Sequence, residues 1–355
     1  MQSIDVPVAE TNGSADAVAP APRGSDYAKL SRQVKQAGLL DRRPGYYAAL
    51  SALLLALAVA GCTAFVLIGD SWWQLPVAVF AGVVSTQLGF LGHDAGHRQI
   101  FRSARANYVT GVVLANLGIG FSYGWWTDKH NRHHAHPNDE EKDPDIGAGA
   151  LVFTVGQVQA SGRVARAFYR FQAWSFFPLL LLEALNLRYA SVLFLITDRS
   201  RARWREAVLM LVHAAGYLTA VFLVLSPVKA LVFIAVHQGV FGLYLGCAFA
   251  PNHKGMPPLS AEDDADYLRR QVLTSRNVRG HWLTDFALGG LNYQIEHHLF
   301  PSMPRGNLRH VQPTVEAFCA DHGVAYLQTG LVASYAQALR HLDTVARPEK
   351  ATAAA

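Results

Sequence analysis

Eight of the chain's fifteen histidines stand in three short clusters and one single position, each at or just beyond the end of an apolar stretch. The clusters read His93-Asp-Ala-Gly-His97, His130-Asn-Arg-His133-His134 and Gln294-Ile-Glu-His297-His298, and the single position is His253 in Pro-Asn-His-Lys. Neutral imidazole is the commonest protein ligand for transition metals. Residues three and four apart share a helix face. His93 and His97 can therefore face one metal, as can His130, His133 and His134. One such pair is a weak signal; three at compatible spacing, with apolar spans between them, are a specific one.

Four runs of about 20 apolar residues are long enough to cross a bilayer: 46–69, 73–92, 207–225 and 228–250. They read as two hairpins with short turns. Basic residues crowd the opposite edges: Lys29, Arg32, Lys35, Arg42 and Arg43 before the first run, Arg98, Arg102 and Arg105 after the second, and Arg199, Arg201, Arg203 and Arg205 before the third. The positive-inside rule then places both termini and the long middle segment in the cytoplasm. Val109–Phe121 is short for a crossing and reads as re-entrant or interfacial, and Phe171–Ile196, interrupted by Glu183, Asn186 and Arg188, as a helix lying in the interface. From about Gly306 onward the pattern is that of a soluble helical cap. The expected fold is all-α and polytopic, four transmembrane helices in two hairpins with a cytoplasmic helical cap carrying the metal site. All eight histidines then converge on one side of the membrane.

Composition agrees. The chain is 51% hydrophobic with a net charge of +5, and its cations flank the apolar runs, so they serve a membrane surface better than nucleic acid. Cys62, Cys247 and Cys319 form no CxxC pair, which argues against disulfides and a zinc–thiolate site. Residues 1–26 and 346–355 read as disordered tails around a membrane domain at 27–345.

Eight imidazoles exceed one metal's needs. Two metals with open positions for oxygen fit the count, and thiolate-free histidine ligation suits iron, copper, nickel or zinc.

HDAGH, HNRHH and QIEHH, the last followed by Leu299-Phe300-Pro301, resemble the histidine boxes HxxxH, HxxHH and QxxHH of the membrane fatty acid desaturase family, over roughly residues 46–340. The resemblance implies a non-haem di-iron centre that uses O2 to insert a double bond into a fatty acyl chain, carried as acyl-CoA or acyl-lipid and met in membrane lipid. It implies His93, His97, His130, His133, His134, His297 and His298 as iron ligands, with His253 resembling an extra ligand at the end of the fourth span. Gln294 stands where some relatives carry histidine, and so reads as a weak ligand or an orienting group. Asn252 is expected to support the ligands. Asp94 and Glu296 are each expected either to hold a ligand imidazole through its second nitrogen or to pair with a cation. Relatives with a fused cytochrome b5 domain carry His-Pro-Gly-Gly, which is absent from this sequence. A separate ferredoxin or cytochrome b5 type donor with its reductase is therefore expected; cations such as Lys35, Arg199 and Arg203 either dock it or serve only orientation and lipid contact.

Other residues take plainer readings. His213 and His237, inside the third and fourth spans, read as neutral packing groups; His136 as a surface residue or a support for the ligands; His281, His310, His322 and His341 as surface or structural. Trp125 and Trp126 line an acyl tunnel or anchor at the interface. Asp143-Pro144-Asp145 reads as a loop cap. Two other functions fit the same histidines: a related di-iron membrane hydroxylase or monooxygenase, and a metal-binding membrane transporter or sensor. The transporter reading expects ligands at mid-membrane depth rather than at span ends.

Overall fold

The computed structural model describes residues 25–197, 200, 202–259, 263 and 265–347. The described residues form α1 (Ser25–Gln36), α2 (Pro44–Ile68), α3 (Gln74–Gly96), α4 (Ala104–Val112), α5 (Tyr123–Ala135), α6 (Val155–Ala160), α7 (Arg163–Tyr169), α8 (Gln172–Leu180), α9 (Glu183–Thr197), α10 (Ala202–Val224), α11 (Pro227–His253), α12 (Tyr267–Leu273), α13 (Trp282–Ala287), α14 (Gln294–Leu299), α15 (Arg305–Asp321) and α16 (Leu331–Ala346). A π-helical segment, Val113–Ile119, extends α4. Local chemistry sets several starts. Pro44 and Pro227 occupy first-turn positions where a missing N–H is no loss, and the Ser122 hydroxyl caps α5 by accepting from the Trp125 N–H at 3.1 Å.

α2, α3, α10 and α11 are long and apolar enough to cross a membrane. Only 6% of the apolar window of α2 and of α10 is buried, against 50% for α3 and 39% for α11. α3 and α11 therefore form an inner pair, and the bare outer helices suit a lipid surround. At the end remote from the histidines, the two hairpin turns are tied together. Ser226 donates through N and Oγ to Asp70 Oδ1 (2.9 and 3.0 Å), and Lys229 Nζ reaches Asp70 Oδ2 at 3.0 Å.

At the histidine end, α1, α12, α14 and α15 enclose an apolar core that includes Leu30, Val34, Leu268, Leu299, Val311 and Val315. α16 closes against α8 and α11, with Leu342 beside Phe176, Leu180 and Ala250.

The sequence reading needs four adjustments. Phe171–Ile196 is not one helix: α8 and α9 meet at a 74° bend. Pro178 lies inside α8, and the turn after it tightens to Leu181 N→Pro178 O and Leu182 N→Leu179 O. The bend rests on α11 at Gly242, where a Cβ would lie 2.6 Å from the Leu180 carbonyl oxygen. The N-terminal tail ends earlier than residue 26. α1 begins at Ser25, and Asp26 is buried, reaching Lys29 and Arg269. At the other end α16 includes Ala346, also buried; the remaining tail residues lie outside the described residues. A short parallel pair, β1 (Asn277–Val278) with β2 (Gln328–Thr329), joins the cap to the site.

Candidate metal centre

All eight histidines converge. α3 ends at His93 and His97, α5 carries His130, His133 and His134, α11 ends at His253, and α14 carries His297 and His298. They sort into two groups. One nitrogen from each of His93, His97, His130 and His297 lies within 4.8 Å of the others, and the same holds for His133, His253 and His298. His134 stands between the groups. Its Nε2 is 3.1 Å from His130 Nε2 and 3.1 Å from His297 Nε2, and its ring stacks on His298 at 4.2 Å. Consecutive helix residues point about 100° apart, which is why the neighbours His297 and His298 serve different groups.

The second group is held in one tautomer. His133 Nδ1 lies 3.0 and 3.1 Å from the Asp143 carboxylate, His253 Nδ1 3.0 Å from the Thr274 carbonyl oxygen, and His298 Nδ1 2.9 Å from Gln271 Oε1. Gln271 cannot turn over freely, because its Nε2 donates to the His134 carbonyl oxygen at 3.0 Å. A carboxylate and a carbonyl only accept, so each Nδ1 carries the proton and each Nε2 presents a lone pair. Those lone pairs face inward: His133 Nε2 is 3.3 Å from His253 Nε2. In the first group His97 Nε2 is 2.8 Å from His130 Nε2. The buried Nε2 atoms of His93 and His298 have no hydrogen-bond partner among the described residues.

Burial holds His97, His130, His134, His297 and His298 well below the usual histidine pKa, and neighbouring histidines push the same way. These rings are neutral at pH 7, as metal ligation requires. Converging lone pairs repel unless a cation lies between them, so the residues fit a pair of metal ions held by nitrogen.

The supporting residues named from the sequence fare differently. Gln294 Nε2 lies 2.9 Å from His253 Nε2, and Asn252 Nδ2 donates to Gln294 Oε1 at 3.3 Å, which puts both amides against the second group. Asp94 makes both contacts weighed for it: Oδ1 is 3.5 Å from His93 Nδ1, and Oδ2 accepts from Arg305 Nε at 2.5 Å. Burial opposes the Arg305 charge, but the Asp94 carboxylate outweighs it and raises the guanidinium's pKa. Glu296 makes neither expected contact. It faces away from the imidazoles and accepts from Asn277 Nδ2 and the Tyr326 hydroxyl, each at 2.7 Å. Burial pushes its pKa up to about 7, against the pull of those two donors. The helix turn that aims His297 and His298 inward aims Glu296 at the cap.

Trp126 is a wall of the site, stacked on His130 at 4.6 Å and 22°. His213 and His237 make packing hydrogen bonds, the former to the Leu117 carbonyl oxygen and the latter to the Tyr217 and Ser85 hydroxyls.

Several working residues escaped the sequence reading. Asp143 caps the 144–146 turn by accepting from the Asp145 N–H, as expected, but it also grips His133. Its ten-residue offset from His133 was the available signal. Asn138, at φ +56°, receives no such signal; its Nδ2 donates to the His253 carbonyl oxygen at 3.2 Å and ties the α5 loop to α11. Glu206 of α10, 4% exposed, accepts from Ser122 Oγ (2.6 Å), Asn116 Nδ2 (3.1 Å) and the Gly124 N–H (3.1 Å). This carboxylate sits at the N-terminus of the helix carrying the second cluster, where a negative charge is favoured. A Cβ at Gly124 would lie 2.8 Å from Glu206 Oε1, so glycine permits the approach.

Comparison with known proteins points the same way. The family profile described as Fatty acid desaturase matches residues 70–330. Acyl-lipid (9-3)-desaturase of Physcomitrium patens is 33% identical over 73% of this chain and 51% of its own length. Fatty acid desaturase 3 of Bos taurus is 32% identical over 85% of this chain and 68% of its own. Delta(8)-fatty-acid desaturase of Euglena gracilis is 30% identical, with coverages of 85% and 74%. The chain thus spans about half the length of the first relative and more than two thirds of the other two.

Proposed function

This chain belongs to the fatty acid desaturase family, and from that premise we propose that it is an O2-dependent fatty acyl desaturase acting on acyl-lipid or acyl-CoA. The observation that carries the reading is the pair of converging imidazole groups at the ends of two long apolar helices, the second with its Nε2 lone pairs turned inward. We assign His93, His97, His130 and His297 to one iron and His133, His253 and His298 to the other, with His134 between them. When bound, the two irons would supply O2 activation and the removal of two hydrogens from an unactivated acyl C–C unit. The protein's part is placement. Asp143, Thr274 and Gln271 fix three imidazoles by their Nδ1 protons. Trp126, the α14 segment and the cap core keep bulk water from the site. The ends of α3 and α11 bring the ligands to the level where an apolar chain can arrive from the bilayer. The decisive experiment is expression in a host lacking the activity, with mass spectrometry of its lipids. New double bonds are the expected result; an inserted oxygen would redirect the reading to hydroxylation.

In our reading the termini, the metal centre and the long middle segment are cytoplasmic, because the cations border that side. Tags at the chain ends and near Asp143 should then report cytoplasm, and a tag near Asp70 the opposite side. A tag near Asp143 reporting the far side would separate the α5 histidines from the termini and overturn this topology.

Electrons are a second requirement. Full reduction of O2 to water takes four electrons, and forming the double bond releases two, so two come from a donor. The sequence holds no His-Pro-Gly-Gly, no GxGxxG after a predicted strand and no cysteine cluster. The purified chain should be inactive with NADPH, O2 and acyl substrate, and active once a ferredoxin or cytochrome b5 type donor and its reductase are added. Of the proposed docking cations, Arg199 lies outside the described residues, and Arg203 sits over the Trp204 ring. Docking on such cations makes turnover fall as salt rises. Turnover by the isolated chain with NADPH would remove the separate donor.

A further inference from the structure

Between residues 147 and 182 the chain carries three arginines and no acidic residue. All three fall on one side of a single short helix. Arg163, Arg166 and Arg170 are spaced i, i+3 and i+7 along α7 and its cap, and so form a row. All three are exposed, and none is in an ion pair among the described residues. Ala165 and Tyr169, on another face, pack against Val345 and Ala346 of α16. A third face, beside the arginine row, is apolar and bare: Val164 is 86% exposed, and Phe168 is exposed with it. The apolar strip continues through Phe171, Trp174 (80% exposed) and Phe177 of α8, then through Leu181 and Leu182 to the outward-facing Leu185 and Val192 of α9. An open recess of about 650 Å³ lies beside the row, lined by apolar groups of Gly149, Ala150, Val164, Phe168 and Tyr169, with Arg163 at its edge.

Bare aromatics next to a row of unpaired arginines suit neither water nor a bilayer interior. They suit the headgroup boundary, where the rings enter the acyl region and the guanidiniums meet phosphate. Arginine's planar fork binds phosphate in two-pronged fashion. The location is informative. Phe176 and Leu180 of α8 contact Ala250 of α11, one turn before His253. The surface therefore adjoins the end of α11 that carries the metal centre.

We propose that α7 and the start of α8 form a binding site for an anionic phospholipid, with its phosphate on the Arg163–Arg166–Arg170 row and an acyl chain along Val164, Phe168 and Trp174 in the adjoining recess. The site needs only that the chain be membrane-embedded; it does not depend on the desaturase chemistry.

The test uses the full chain in phosphatidylcholine nanodiscs doped with chain-brominated phosphatidylglycerol or, separately, chain-brominated phosphatidylcholine. The emission of Trp174 is taken as the difference between wild type and Trp174→Phe. The expected result is that this emission is quenched severalfold more by the brominated anionic lipid, because the basic row draws anionic headgroups to the surface. In the triple variant Arg163→Gln, Arg166→Gln, Arg170→Gln the two lipids should quench equally, while histidine-bound metal content stays unchanged as a check on folding. Equal quenching by both lipids in the wild type overturns the headgroup site. Absence of quenching by either overturns the immersion of α8. Retention of the preference in the triple variant overturns the role of the arginine row.

Discussion

Replacing His298 with alanine should abolish double-bond formation and lower bound iron from about two ions per chain to about one. His298 belongs to the three-imidazole group with His133 and His253, and its buried Nε2 has no hydrogen-bond partner among the described residues. The other group keeps four imidazoles, so one ion should remain. His297→Ala should remove the other ion instead, although the two residues are neighbours in sequence. The activity loss in both variants should exceed the roughly 10–100-fold range of substitutions that touch only a ligand's support. Membrane insertion should be normal, since neither residue lies on a spanning helix. Metal analysis of purified protein checks the claim before any turnover is measured. Identical iron contents in the two variants, both near zero or both near two, would sink the division into two groups.

The second large effect falls on a residue that binds no metal in this reading. Asp143→Asn should weaken metal binding and activity about 10–100-fold. The carboxylate takes hydrogen bonds from His133 Nδ1, from the Asn138 N–H at 2.8 Å and from the Asp145 N–H at 2.8 Å. An amide offers one oxygen in place of two and turns an NH2 toward donors that have nothing to accept it. His133 is then free to rotate or change tautomer, and its Nε2 is no longer reserved for the metal. Asp139 is the control. It is a buried carboxylate in the same loop that accepts from the Glu141 and Lys142 N–H groups, and among the described residues its side chain makes no hydrogen bond to a histidine. Asp139→Asn perturbs the loop without releasing His133, so it should change metal affinity much less. Equal losses in the two variants would mean that loop structure, not the grip on His133, sets the effect.

The sequence was legible where one local pattern carried the information. Runs of about 20 apolar residues marked α2, α3, α10 and α11, because spanning a bilayer fixes both length and composition. The three boxes pointed to the family that the comparisons bear out, because metal ligation restricts residue type and helix periodicity restricts spacing. The hydrogen-bonded packing of His213 and His237 also agrees with their place inside apolar spans.

What the sequence left open was set by contacts between segments far apart in the chain. Helix periodicity turns His297 and His298, like His133 and His134, about 100° apart, but nothing local says which group each one joins. The division into two groups depends on where α3 and α11 end relative to α5 and α14. Glu296 looked like a partner for a ligand because it stands inside a box, yet helix rotation turns it to Asn277 and Tyr326. Glu206 drew no notice in the sequence, yet it reaches 82 positions back to hold the start of α5. The bend between α8 and α9 needed both Pro178 and the bare backbone of Gly242 on another helix. Residue type, spacing and apolar length are properties of a segment, and the sequence determined them. The pairing of Asp143 with His133 and of Thr274 with His253, like the direction in which each lone pair points, arises only when separate helices pack. A hydrogen bond is directional and short-ranged, and only the tertiary structure decides which groups come within its reach.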